Sequence, residues 1–169
     1  MLRRDPLADP APLIKRVYAY AAYRLGDGPD AEDITSETFE RALRYRKSYD
    51  PKKGEPVAWL LGIAKRCIDG SWSKTEYATE DVEFVDTTDL EEETIRRLTV
   101  SRAVAALDER DRELIALRYG ADLTARQIAE LLDARTNAIE VALHRALGRL
   151  RGMLEADESE PVRKRGASR

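Results

Sequence analysis

Apolar positions recur along most of the chain at the three- and four-residue spacing of amphipathic helices. From Pro12 to Leu25, the stripe Leu13, Ile14, Val17, Tyr18, Ala21 and Leu25 predicts a first helix. Gly26-Asp27-Gly28-Pro29 ends it. Asp30 is suited to cap a second helix, with Glu32 and Asp33 in the first turn, where the helix dipole favours acids. Its expected inner stripe is Ile34, Thr38, Ala42 and Tyr45, with Phe39 and Leu43 alongside. A polar loop, Lys47 to Glu55, carries the turn formers Pro51 and Gly54. Pro56 suits the first position of a third helix, which runs through Trp59, Leu60, Ile63, Ala64, Cys67 and Ile68 towards Trp72. Residues 1–72 therefore read as one small helical domain.

The pattern lapses between Ser73 and about Leu90. This stretch is acidic and aperiodic, and its composition is that of a flexible linker. Helical spacing resumes from Glu91 to Leu107 (Ile95, Leu98, Val104, Leu107). Asp108 is placed to cap a helix from Glu109 to Tyr119, which Gly120 closes. Thr124 and Gln127 form a T-x-x-Q capping signature at the start of a short helix whose inner face is Ile128, Ala129, Leu131 and Leu132. After Asp133-Ala134-Arg135, a last helix carries Ile139, Leu143, Ala146, Leu147 and Leu150. No segment reads as a strand. The expected fold is all-α: domains at 1–72 and 100–154, an acidic linker at 73–99, and a disordered tail at 155–169.

Composition narrows the functional classes. The net charge of −3 looks wrong for a nucleic-acid binder, but it is unevenly spread. Residues 73–99 hold nine acidic and three basic side chains, a net of −6, which leaves +3 on the rest. Cys67 and His144 are single, so no internal disulfide can form, and a zinc site of Cys and His is not expected. No apolar run approaches the roughly 20 residues of a membrane span, and no apolar signal core follows the N-terminus. A cytoplasmic protein is expected, without cofactor, metal or small-molecule substrate.

Two short helices joined by about three residues suit a helix-turn-helix, in which the second helix enters the major groove. A plain helical hairpin has the same apolar pattern. The tight capping of the first helix favours the DNA-binding reading. So does the polar set on the second (Arg135, Thr136, Asn137, Glu140, His144), followed by Arg145, Arg149 and Arg151.

The run Thr124-Ala-Arg-Gln-Ile-Ala-Glu-Leu-Leu, followed by Leu143-His-Arg-Ala-Leu-Gly-Arg-Leu-Arg151, resembles region four of the bacterial extracytoplasmic-function (ECF) sigma factors. Leu107 to Tyr119 is similar to the helix before it. Asp30-Ala-Glu-Asp-Ile34 with Glu37-Thr-Phe39 resembles the polymerase-binding helix of region two, and Ala58-Trp-Leu-Leu-Gly-Ile-Ala64 the helix after its promoter-reading loop. The resemblance covers nearly the whole chain except its ends and the acidic stretch.

The resemblance implies a non-enzymatic subunit that binds core RNA polymerase through its clamp helices and flap, recognises two promoter elements and helps melt DNA. Glu32, Asp33, Ser36, Glu37 and Glu40 would face the polymerase, where carboxylates suit a basic partner. Lys47, Lys52 and Lys53 would contact phosphates of the minus-ten element, with Tyr49 stacking on a base turned out of the duplex. Lys65, Arg66 and Lys74 would add phosphate contacts. Arg126, Arg135, Thr136, Asn137, Glu140, His144, Arg145 and Arg149 would serve the minus-thirty-five element. Relatives commonly carry Lys or Arg at the positions of Glu140 and Ala142, a difference expected to weaken phosphate binding. The resemblance also implies an anti-sigma partner. Two alternatives stand beside this reading: a stand-alone helix-turn-helix regulator, and a sigma-like interaction protein with weakened promoter reading.

Overall fold

The computed structural model describes residues 5–72 and 92–159. Residues 73–91 of the linker expected at 73–99, among them Lys74, and the tail from 160 lie outside the described residues, as does the side chain of Trp72; residues 92–99, expected as linker, are helical instead. The helices are α1 (Pro10–Leu25), α2 (Pro29–Tyr45), α3 (Pro56–Trp72), α4 (Glu92–Ala106), α5 (Glu109–Ile115), α6 (Ala125–Leu131) and α7 (Thr136–Ser159). A 3₁₀ turn, Arg46–Ser48, follows α2, and a π-helical turn, Ala116–Gly120, continues α5. There is no strand among the described residues.

Local chemistry explains most helix ends. Pro29 occupies the first turn of α2, so the cap is Gly28 and not Asp30, and Asp30 becomes a first-turn acid. Asp108 caps α5 by accepting from the Asp111 N–H at 2.8 Å. At α6 the capping box forms in both directions: the Gln127 N–H donates to Thr124 Oγ1 at 3.2 Å, and the Thr124 N–H donates to Gln127 Oε1 at 2.9 Å. Asp133, at φ 52°, makes the left-handed turn between α6 and α7, a conformation that Asp tolerates better than most residues. Helix α7 runs past Leu154, where the tail was expected to begin, as far as Ser159; Glu155, Ala156 and Glu158 are good helix formers.

The helices of the N-terminal lobe, α1 to α3, pack through Val17, Ala21, Ile34, Leu60, Leu61 and Ile68. The same apolar core continues into the C-terminal lobe through Leu114, Leu117, Leu123, Ile128, Ile139 and Leu143. A smaller cluster joins Val104 of α4 and Ile115 of α5 to Leu107 and Ala146, with Tyr23 of α1 against it. The two lobes are thus docked, and α1 lies at the seam.

Docking changes which face of α1 is buried. Val17 and Ala21 are buried as the stripe requires, but Ile14 is 44% exposed. Tyr20 and Arg24, outside the expected stripe, are buried instead. They face the C-terminal lobe, so α1 has two inward faces and not one. In α2, Ile34, Thr38 and Ala42 are buried, whereas Tyr45, expected inward, is 56% exposed where the helix tightens into the 3₁₀ turn.

Candidate nucleic-acid interface

The outer face of α2 carries the acids expected to meet a partner. Glu32, Asp33, Ser36 and Glu40 are exposed and Glu37 is half-buried. The two C-terminal acids already have cationic neighbours one turn on: Arg41 donates to Glu37 at 2.5 Å and Arg44 to Glu40 at 3.1 Å. The unneutralised acidity therefore lies at the N-terminal half of the face. Inside, the Thr35 and Thr38 hydroxyls donate to the carbonyls of Ala31 and Ile34, which lets polar side chains point into the core without an unmet donor.

An open cleft of about 320 Å³ lies where the end of α2 meets α3. Arg41, Tyr45, Ser48, Trp59, Ile63 and Arg66 line it. Two aromatic rings and two guanidinium groups therefore surround one concavity, the combination that accepts a base beside its phosphate. Of the expected minus-ten residues only Arg66 lines it. Lys52 and Lys53 are exposed on the loop, and Lys47 is exposed beside it. Lys65 is held by Asp69, one turn along α3, at 3.0 Å.

Tyr49 is placed differently from expectation. It is only 9% exposed; its hydroxyl donates to the Gly54 carbonyl at 2.9 Å, and its ring packs on Trp59 with centroids 5.5 Å apart. Burial raises its phenol above the ordinary value, with Glu55 and Asp50 adding to the shift. The ring staples the loop to α3 and offers no free face, whereas Tyr45 does. Sequence spacing alone could not separate the two tyrosines, because both adjoin the loop.

In the C-terminal lobe, the N-terminal half of α7 presents Arg135, Thr136, Asn137, Glu140, His144 and Arg145 to solvent, while Ile139 and Leu143 turn inward. Arg126 of α6 is exposed and paired with Glu130 at 3.1 Å. Arg149 departs from the expected set. Its guanidinium grips the carboxylate of Asp111 in a two-pronged pair, with Nη2 to Oδ1 at 2.7 Å, and Asp111 is buried. That pair ties α7 to α5, with half of the Arg149 side chain still exposed. Arg145, one turn earlier, faces outward.

Among the described residues no helix is long and apolar enough to cross a membrane, and no group of three His, Cys, Asp or Glu side chains could hold a metal ion.

Comparison with known proteins agrees with this two-lobed plan. Residues 12–75 match the family model Sigma-70 region 2, and residues 97–150 match Sigma-70, region 4. The ECF RNA polymerase sigma factor BldN of Streptomyces coelicolor is 29% identical over 150 residues, covering 83% of this chain and 57% of that protein, so this chain spans little more than half of its length. The ECF RNA polymerase sigma factor SigK of Mycobacterium sp. (strain KMS) is 31% identical over 151 residues, covering 82% of this chain and 75% of that protein. Two solved structures share the fold. The sigma factor RpoE from Bartonella quintana, in complex with the anti-sigma factor NepR, has a TM-score of 0.65 at 18% identity, covering 86% of this chain and 93% of that one. CnrH, in complex with the cytosolic domain of CnrY, has a TM-score of 0.60 at 20% identity, covering 88% of this chain and 83% of that one. With a region-two lobe, a region-four helix-turn-helix and a relative of this identity and coverage, the chain belongs to the ECF RNA polymerase sigma factors.

Proposed function

We propose that the two lobes divide promoter recognition between a concave and a convex reader. The N-terminal lobe docks core RNA polymerase through the exposed face of α2 that carries Glu32, Asp33, Ser36, Glu37 and Glu40. Its cleft then receives a base of the melting minus-ten element between Tyr45 and Trp59, with Arg41 and Arg66 beside the phosphates. Lys47, Lys52 and Lys53 extend the same basic edge along the loop. The C-terminal lobe lays the N-terminal half of α7 in the major groove at the minus-thirty-five element. Arg135, Thr136, Asn137, His144 and Arg145 are the side chains that reach base edges and phosphates. Glu140 is repelled by phosphate but can accept from cytosine N4.

The aromatic and arginine-lined cleft beside the expected reading loop carries this proposal most strongly. It also replaces Tyr49 with Tyr45 as the stacking residue. The region-two lobe has no role in a stand-alone repressor, so that alternative is set aside. The chain acts as a regulatory subunit in the cytoplasm and not as an enzyme. An anti-sigma partner is expected by resemblance, and the anti-sigma complex of Bartonella RpoE supports looking for one.

Run-off transcription with purified core polymerase, after start sites have been mapped genome-wide, tests the reading. The wild-type chain is expected to direct initiation at a defined promoter set. Tyr45→Ala is expected to impair open-complex formation by about 5- to 100-fold, as for loss of one stacked base, while leaving polymerase binding intact. Initiation at no promoter would overturn the proposal. An unimpaired Tyr45→Ala would overturn the assignment of the stacking ring.

A further inference from the structure

The outward face of α7 has an apolar residue at its centre. Val141 is 50% exposed, and among the described residues it is the one large hydrophobic side chain that α7 leaves in solvent. An exposed aliphatic group is ordinary in itself, so its position decides what it means. At about 100° per residue, Val141 lies about 160° around the helix from both Ile139 and Leu143, the residues that anchor this part of α7 in the core. It therefore projects directly away from the lobe. Asn137 and Arg145, one turn before and one turn after, lie about 40° to either side of it, and His144 about 60°. All of these neighbours are polar and exposed. The branched Cβ of valine makes it a weaker helix former than alanine, so helix stability does not account for its presence at an exposed position.

With the N-terminal half of α7 in the major groove, this side of the helix meets the groove floor, and the phosphate backbones form the walls. A valine side chain has no donor, acceptor or charge. It contributes nothing at a phosphate or at the hydrogen-bonding edge of a base. Among the groups that the bases present in the major groove, the apolar one is the thymine 5-methyl. Contact between that methyl group and Val141 withdraws both from water, and no other base offers Val141 an equivalent gain.

We propose that Val141 is a specificity-determining residue that selects thymine at one position of the minus-thirty-five element by packing on its 5-methyl group. The element that this chain recognises therefore contains a thymine whose methyl group is read, and not only its hydrogen-bonding edge. The inference rests on α7 being the minus-thirty-five reader and adds the identity of one base to that reading.

The test uses the holoenzyme, the full-length chain with core polymerase, on a promoter taken from the mapped start sites. Each thymine of the minus-thirty-five element, on either strand, is replaced in turn by deoxyuridine, which removes the methyl group and leaves the base pairing unchanged. At one position the wild type is expected to bind the uracil template about fourfold more weakly, the value of one methyl group withdrawn from water. Val141→Ala is expected to bind the thymine template about as weakly and to be indifferent to uracil at that position. Circular dichroism and thermal melting establish that this variant is folded, as expected for an exposed position given to a better helix former. The substitution on the DNA reads the wild-type protein and depends on no variant. An element without thymine, a wild type indifferent to uracil at every position, or a Val141→Ala variant that still discriminates would overturn the inference alone. Wild-type initiation unaffected by scrambling the minus-thirty-five element would overturn the reading of α7 itself, and the inference with it.

Discussion

Arginines serve opposite ends at the seam and on the reading helix. Arg24 is buried against Glu113 and touches no surface available to DNA. Arg145 of α7 is exposed, and no ion pair claims it among the described residues. Arg149 lies one turn beyond Arg145 on the same helix, yet it sides with Arg24: its carboxylate partner, Asp111, is buried. Charge type and helix position therefore do not decide whether an arginine recognises DNA or holds the fold. The partner waiting on the neighbouring helix decides it.

The largest expected effect breaks the seam. Arg24→Ala leaves the Glu113 carboxylate buried with only the Tyr20 hydroxyl, and a loss of about 3–5 kcal/mol of stability in urea denaturation is expected. Replacing both partners, Arg24→Leu with Glu113→Leu, should recover most of that loss, because paired buried charges exchanged for apolar groups cost little. A double variant no better than Arg24→Ala would show that the pair is not the element holding α1 to α5.

Next comes the reading helix. Asn137→Ala or Arg145→Ala should cost about 1–3 kcal/mol in discrimination at the minus-thirty-five element, measured by promoter competition with the holoenzyme. Stability should change by no more than about 0.5 kcal/mol. Arg149→Ala should show the reverse pattern, with a lower melting temperature and unchanged base preference at that element. If Arg149→Ala and Arg145→Ala behaved alike, the distinction between a recognising and a fold-holding arginine on α7 would fail.

The smallest effect is on pH dependence. Burial, opposed by the nearby Arg24 charge, pushes the Tyr20 phenol well above its ordinary value of 10.0. A group whose value is raised in the folded state stabilises fully below its unfolded value and loses that contribution as pH rises through the folded one. Stability should therefore begin to fall above about pH 10, and Tyr20→Phe should flatten that limb in denaturation curves collected across the alkaline range. A slope unaffected by Tyr20→Phe would place the alkaline sensitivity elsewhere.

The local readings that proved legible rest on short-range physics. Asp108 and the Thr124–Gln127 box act within a single helical turn, so the cap residues identify themselves. Ile34, Thr38 and Ala42 face inward because their spacing leaves them one common side. Arg135, just before α7, and Thr136, Asn137, Glu140, His144 and Arg145 on it face outward for the complementary reason. Three readings needed the third dimension. Tyr45 and Tyr49 both border the loop, and only the position of Trp59 and the Gly54 carbonyl shows which of them is used up in packing. Arg149 looked like its outward neighbours until Asp111 arrived from α5. Tyr20 and Arg24 lie off the apolar stripe of α1, where a sequence reading places solvent, and the second lobe covers them.

The amino-acid sequence by itself determined an all-helical chain, its break into two lobes, most of its helix ends, the family and the outward face of the reading helix. Periodicity, capping and glycine or proline punctuation act over one or two turns, and all of them are written in consecutive residues. Only the tertiary structure decided that the lobes share a core, that Gly120 seats against Ala19 and that a tyrosine, an arginine and a glutamate meet between them. Residues 20 and 113 become neighbours through long-range packing, and no local spacing rule encodes a contact of that separation.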